Sequence, residues 1–147
     1  MKGLALTTFL LFACSAPAFT LPAPPLRVGD QQVRYEHRYN MGGHMAAEWR
    51  AGTPIIYFHP ERFEPLPVEL KYFIHAHEYC HLKEDVDGEI EADCCALAWM
   101  KGAELDGGKT LSTVVQHVYE WPKSEVHPPG SYRALAIMGC SIALSFK

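Results

Sequence analysis

Two periodicities divide the chain. From Val33 to Tyr39, "VRYEHRY", alternate residues Val33, Tyr35, His37 and Tyr39 fall on one side and Arg34, Glu36 and Arg38 on the other. That period of two predicts a half-buried strand. "NMGG" (Asn40 to Gly43) turns the chain, and "MAAEW", "AGT" and "PIIYFH" predict a second and third strand joined by a tight turn at Ala51 to Thr53. Pro54 fits a strand start or an edge. "YFHPERF" (Tyr57 to Phe63) is expected as an edge strand against which an extended peptide could pair. "HPERFEPLP" (His59 to Pro67), with its three prolines, is expected to be a loop.

After Pro67, which suits the first position of a helix, the spacing lengthens. Leu70, Phe73, Ile74, His77 and His81 recur at helical intervals. "KEDVDG" (Lys83 to Gly88) breaks the pattern, and Asp87 is the expected N-cap of the next helix. "EIEADCCALAWMKG" (Glu89 to Gly102) is rich in helix formers and stops at a glycine. A "DGG" turn (Asp106 to Gly108) precedes a helix over "TLSTVVQHVYEW" that stops at Pro122, and a last helix runs from about Ser131 towards Phe146. Antiparallel strands first and helices afterwards predict an α+β domain.

The whole chain has 147 residues, room for one domain with one core. A net charge of -4 provides no basic footprint, so nucleic acid is not expected as a partner. The N-terminus reads as an export signal: Lys2, then apolar Leu4 to Ala13, then small residues at Ala16 to Ala18. Residues 1–18 are thus expected to be removed, leaving a domain over 19–147. "LFAC" (Leu11 to Cys14) competes as a lipobox, with Cys14 lipidated and retained, and a buried N-terminal helix is the third reading. "LPAPP" (Leu21 to Pro25) reads as an extended spacer. No other segment is long and apolar enough to cross a membrane. The expected location is exported, periplasmic or secreted.

Export changes the reading of the cysteines. Cleavage after Ala18 leaves Cys80, Cys94, Cys95 and Cys140, an even set that favours two disulfides. Adjacent Cys94 and Cys95 are poorly placed to bond each other, so one is expected to pair with Cys80 and the other with Cys140.

"HAHEYCH" (His75 to His81) carries the candidate chemistry. A c-type haem site needs Cys-x-x-Cys-His, and His77 stands where the first cysteine belongs. What remains is His77-Glu78-Tyr79-Cys80-His81, an H-E-x-x-H pattern. Positions i and i+4 share a helix face, so His77 and His81 can reach one ion, with Glu78 beside them as general base towards a metal-bound water whose pKa zinc lowers to about 7. Cys80 lies about 60° from His77 and about 100° from His81 around the helix, off the ligand face.

A catalytic zinc takes a third protein ligand and keeps a fourth position open. Glu89 and Asp93 are four apart on the next helix, and a short loop makes the two helices antiparallel neighbours. Glu89 then falls opposite His81 as the third ligand, and Asp93 opposite His77 as acceptor of its second ring proton. Asp87, six residues after His81, is the rival ligand; that arrangement needs glycine at 84, where this chain has Glu84. His37, His44, His59 and His117 are isolated and read as structural or exposed.

These paired motifs resemble the gluzincin metallopeptidases, in which H-E-x-x-H is followed by E-x-x-x-D on a second helix. "EIEAD" (Glu89 to Asp93) is similar to the corresponding stretch of small repressor-cleaving peptidases and of CAAX- and heat-shock-type membrane peptidases. "HPPGSYR" (His127 to Arg133) looks like a late segment of the latter group. The resemblance implies a minimal zincin-like fold, zinc-dependent hydrolysis of a peptide or protein substrate, and His127 or Arg133 near the cleft, holding the substrate carbonyl. The chain departs from the pattern in its short gap from His81 to Glu89 and in carrying cysteines within the helices. The alternative expectation is a zinc-stabilised binding or adaptor protein without turnover; a third is a disulfide-held domain without metal.

Overall fold

The computed structural model describes residues 26–83, 86, 88–103 and 107–146. The expected export signal, Cys14, the expected proline-rich spacer and Asp87 lie outside the described residues.

A short antiparallel pair, β1 (Arg27–Val28) and β2 (Gln31–Gln32), opens the described chain. A second sheet has the order β3 (Arg34–His37), β5 (Thr53–Phe58), β4 (Met45–Arg50). The hairpin between β4 and β5 is antiparallel and closes at the Arg50–Thr53 pair. Ala51 and Gly52, the two turn residues, both have positive φ, 49° and 77°. Positive φ at both central positions matches the twist of the strands they join. At Ala51, which has a Cβ, that conformation costs about 1–2 kcal/mol.

The antiparallel expectation holds for both hairpins and fails for β3, which runs parallel to β5 from Arg34–Ile55 to His37–Phe58. Residues 38–44 explain the difference. The Arg38 amide donates to Phe58 O and the His59 amide to His44 O, so this segment crosses the end of β5 and delivers β4 to its far side. β5 is therefore the central strand, with Ile55, Ile56 and Tyr57 buried. This corrects the edge-strand expectation for "YFHPERF": both sides of β5 are already paired. Pro54 precedes the first β3–β5 rung, where its missing N–H is tolerated.

The proline-punctuated loop contains a helical turn, α1 (Pro60–Phe63). Pro60 occupies the start of the helix, where its fixed φ fits, and Phe63 is driven into the core. Four longer helices follow: α2 (Val68–Lys83), α3 (Glu89–Gly102), α4 (Gly108–Tyr119) and α5 (Gly130–Ser145). Gly88, not Asp87, is the N-cap of α3. α2 packs against β4 on one side and against α3 and α4 on others, so Leu70, Phe73 and Ile74 are buried together with His75, His77 and Glu78. Phe63, Leu97, Met100, Val114, Val118 and Ile137 complete the core.

Two disulfides select one of the two expected pairings. Cys80 pairs with Cys95, tying α2 to α3, and Cys94 with Cys140, tying α3 to α5, with Cα separations of 6.1 and 5.5 Å. Such cross-links are compatible with an exported protein. No helix among the described residues is long and apolar enough to cross a membrane.

Candidate metal centre

His77 and His81 lie one turn apart on α2, with their Nε2 atoms 3.1 Å apart. α3 packs along α2 so that Glu89, in its first turn, meets both. Glu89 Oε2 is 3.3 Å from His77 Nε2 and Oε1 is 3.6 Å from His81 Nε2. Glu89 thus faces the pair, nearer to His77 than to the His81 it was expected to oppose. One ligand atom from each of the three residues falls within 4.8 Å of the others, a group that could hold a metal ion.

The opposite ring nitrogens explain the orientation. His77 Nδ1 is 2.8 Å from Asp93 Oδ1, one helical turn beyond Glu89. His81 Nδ1 is 2.6 Å from the backbone oxygen of Val86. With both Nδ1–H groups donating outward, both Nε2 lone pairs turn inward towards the Glu89 carboxylate. Glu89 Oε2 is buried and makes no hydrogen bond of good geometry. Three electron-pair donors thus converge on one point, an arrangement in which a shared cation is favourable.

The surrounding charges point the same way. Burial alone would lower His77, but the carboxylates of Asp93 and Glu89 against its two ring nitrogens and the charge of Glu78 raise it to about 9. The pocket is thus set to hold positive charge at the inward face of His77, as a proton or as a metal. Burial raises the Glu78 carboxyl above its ordinary range, with the cationic forms of His77 and His81 opposing and Glu89 adding to it. Burial would also raise Asp93, yet its hydrogen bonds with Arg133 and His77 outweigh that and hold it low.

Arg133, buried on α5, donates from Nε to Asp93 Oδ2 at 2.8 Å and from Nη2 to Asp93 Oδ1 at 2.6 Å. Its Nη1 lies 3.5 Å from Glu89 Oε2. His127 comes from the loop between α4 and α5, with Nε2 3.3 Å from Glu89 Oε2 and Nδ1 3.0 Å from Ser124 Oγ. The backbone N–H of His127 also donates to Ser124 Oγ at 3.0 Å. Burial lowers His127, with Glu89 opposing, which favours the uncharged ring.

Every sequence-nominated residue that is described (His77, Glu78, His81, Glu89, Asp93, His127 and Arg133) therefore belongs to one cluster. His77, Glu78, His127 and Arg133 line a cavity of about 530 Å³ whose other walls include Met45, Phe73, Ile74, Trp121 and Val126. Asp87, the rival ligand, lies outside the described residues. Cys80 is consumed by its disulfide. Among the isolated histidines, His37 packs on Phe58 with ring centroids 4.4 Å apart, and His44 lies 5.8 Å from Trp121 at the cavity wall. Neither joins a second metal-type group among the described residues.

Sequence reasoning missed three contacts. Val86 O carries no side-chain signal. Ser124 and His127 are a short-range pair whose spacing of three residues offered a clue. His75, the histidine of the motif outside H-E-x-x-H, turns away to meet Tyr35 Oη at 2.8 Å from Nε2. Comparison of the chain with protein-family models, with curated proteins and with solved structures finds no match.

Proposed function

We propose that this chain is an exported zinc-dependent metallopeptidase of the gluzincin type, acting on a peptide or protein substrate. The convergence of His77 Nε2, His81 Nε2 and the Glu89 carboxylate carries the reading, with Glu78 buried beside them. Two imidazoles and one carboxylate are a donor set that suits zinc and leaves a position open. Zinc bound there supplies an acidified water and polarises the substrate carbonyl.

The protein's own groups divide the remaining work. Glu78, whose carboxyl burial raises above the ordinary carboxylate range, takes the proton of the attacking water and returns it to the departing amine nitrogen. His127, with its side chain 39% exposed at the cavity, donates Nε2–H to the carbonyl oxygen as negative charge develops on it. Arg133 is more deeply committed: its bidentate grip on Asp93 fixes the acceptor of His77 and balances the acidic pair. Asp93 is thus a positioning residue, and the apolar cavity walls hold a side chain of the substrate.

Metal content by mass spectrometry, combined with hydrolysis of an unfolded protein substrate, tests the reading. One zinc per chain is expected, lost in Glu89→Ala and kept in Asp87→Ala. Glu78→Gln should keep the zinc and lose hydrolysis. Absence of metal after zinc is supplied, or hydrolysis that survives Glu78→Gln, would sink the assignment.

A further inference from the structure

α5 leaves an uncharged face in solvent. Its inward residues Arg133, Ala134 and Ile137 are buried, with Cys140 and Leu144 half-buried behind them, where the helix packs on α3 and α4. The opposite face carries Tyr132, Leu135, Met138 and Ile142, and Phe146 follows directly past the helix end. These are 60%, 68%, 46%, 61% and 86% exposed. From Ser131 to Phe146 the single charged residue is Arg133, and it points inward. A surface helix normally turns a charged or polar face outward. With free areas of ~200 Å² for residues of this size, the five exposures amount to roughly 600–700 Å² of contiguous apolar surface, the range in which a patch marks an interface.

The order of the residues along the stripe selects the occupant. Gly139 stands at its middle: Tyr132 and Phe146 are seven residues to either side, and Leu135 and Ile142 four before and three after. A Cβ built on Gly139 would meet nothing within 4 Å, so the backbone itself is open there. Two antiparallel copies of α5 crossing at Gly139 would set Tyr132 of each against Phe146 of the other, and Leu135 against Ile142. That self-complementarity is what a two-fold interface requires. The glycine lets the helices approach to about 8 Å, and the area matches the roughly 800 Å² per partner of a standard interface. A helix lying on lipid would instead carry Lys or Arg along its exposed face.

We propose that a second copy of this chain covers α5, forming a homodimer through antiparallel α5 helices centred on Gly139. This stands independently of the catalytic reading. Sedimentation velocity of the purified, disulfide-intact chain over a dilution series tests it. Wild type is expected as a dimer that dissociates on dilution, while Leu135→Glu and Ile142→Glu remain monomeric with unchanged far-UV circular dichroism. Val68→Glu, at a 52% exposed apolar residue at the start of α2, should remain dimeric. Ile142→Ser, a milder change, should weaken dimerisation at least tenfold if either glutamate variant fails to fold. A wild type that stays monomeric at the highest concentration, or a dimer that survives both glutamates, overturns the proposal. A monomer that floats with phosphatidylglycerol vesicles and loses flotation in Ile142→Glu also overturns it, assigning the face to lipid.

Discussion

Arg133 on α5 grips Asp93 on α3 with two buried hydrogen bonds, and Asp93 meets His77 Nδ1 on α2 at 2.8 Å. A fully buried carboxylate is tolerable because both oxygens are engaged by cationic or polarised donors. The arrangement passes orientation from one helix to the next and ends at the inward lone pair of His77.

Asp93→Ala should therefore damage both the site and the fold. Loss of the His77 acceptor is expected to weaken zinc binding about 10- to 100-fold. Leaving Arg133 buried without its partner should cost about 3–5 kcal/mol. Competition against a chromophoric chelator reads the first effect and urea unfolding the second; unchanged values for both would remove the positioning role.

Zinc that binds the folded chain and not the unfolded one raises the melting temperature. At a free concentration one hundred times Kd the gain is about 2.7 kcal/mol. A chelator should lower Tm in wild type, zinc should restore it, and the His77→Ala/His81→Ala double variant should respond to neither. A chelator response that persists in the double variant would place the metal elsewhere.

His75 gives the fold an acid sensitivity separate from the ligands. Burial lowers its pKa to about 4, against about 6.5 in an unfolded chain. Below pH 6.5 the unfolded chain takes a proton that the folded chain refuses. Stability from this group is thus complete above that pH and lost as pH falls towards 4, by about 3 kcal/mol in all. His77 has the opposite sign: raised to about 9, its contribution is already complete below pH 6.5. With chelator present throughout, urea unfolding from pH 7 to 4.5 should show a shallower decline in His75→Gln than in wild type. Equal slopes would mean that His75 is not held neutral.

Gly130→Ala should disturb the cavity from outside it. A Cβ there would lie 2.1 Å from Val118 O and 2.6 Å from Trp121 O, both backbone atoms. Relief requires the loop carrying His127 to move, and the expected loss is about 1–3 kcal/mol. Chemical-shift changes at His127 alongside the lost stability would trace the movement; an unaltered protein would show that the start of α5 yields more easily.

The sequence made the ligand cluster legible because the relevant information is local. His77 and His81 share a helix face by spacing, Glu89 and Asp93 do likewise, and the short connection brings the faces together. The same helical phase brings Cys80 to Cys95. Partners across the sheet were not legible in this way: alternation in "VRYEHRY" says that a strand exists but not that it runs parallel to β5. Three prolines hid α1, since Pro60 begins a helix as readily as it interrupts one. The exposed stripe of α5 escaped for a related reason, because apolar residues at helical intervals look the same whether they meet a core or another molecule.

The neighbouring cysteines Cys94 and Cys95 have a consequence for how the helices of the site are held. They make α3 a hub bolted to α2 on one side and to α5 on the other, and those three helices carry His77, His81, Glu89, Asp93 and Arg133. The two bridges hold these three helices together without any ion, so the group that could hold a metal does not depend on the metal to keep its helices side by side.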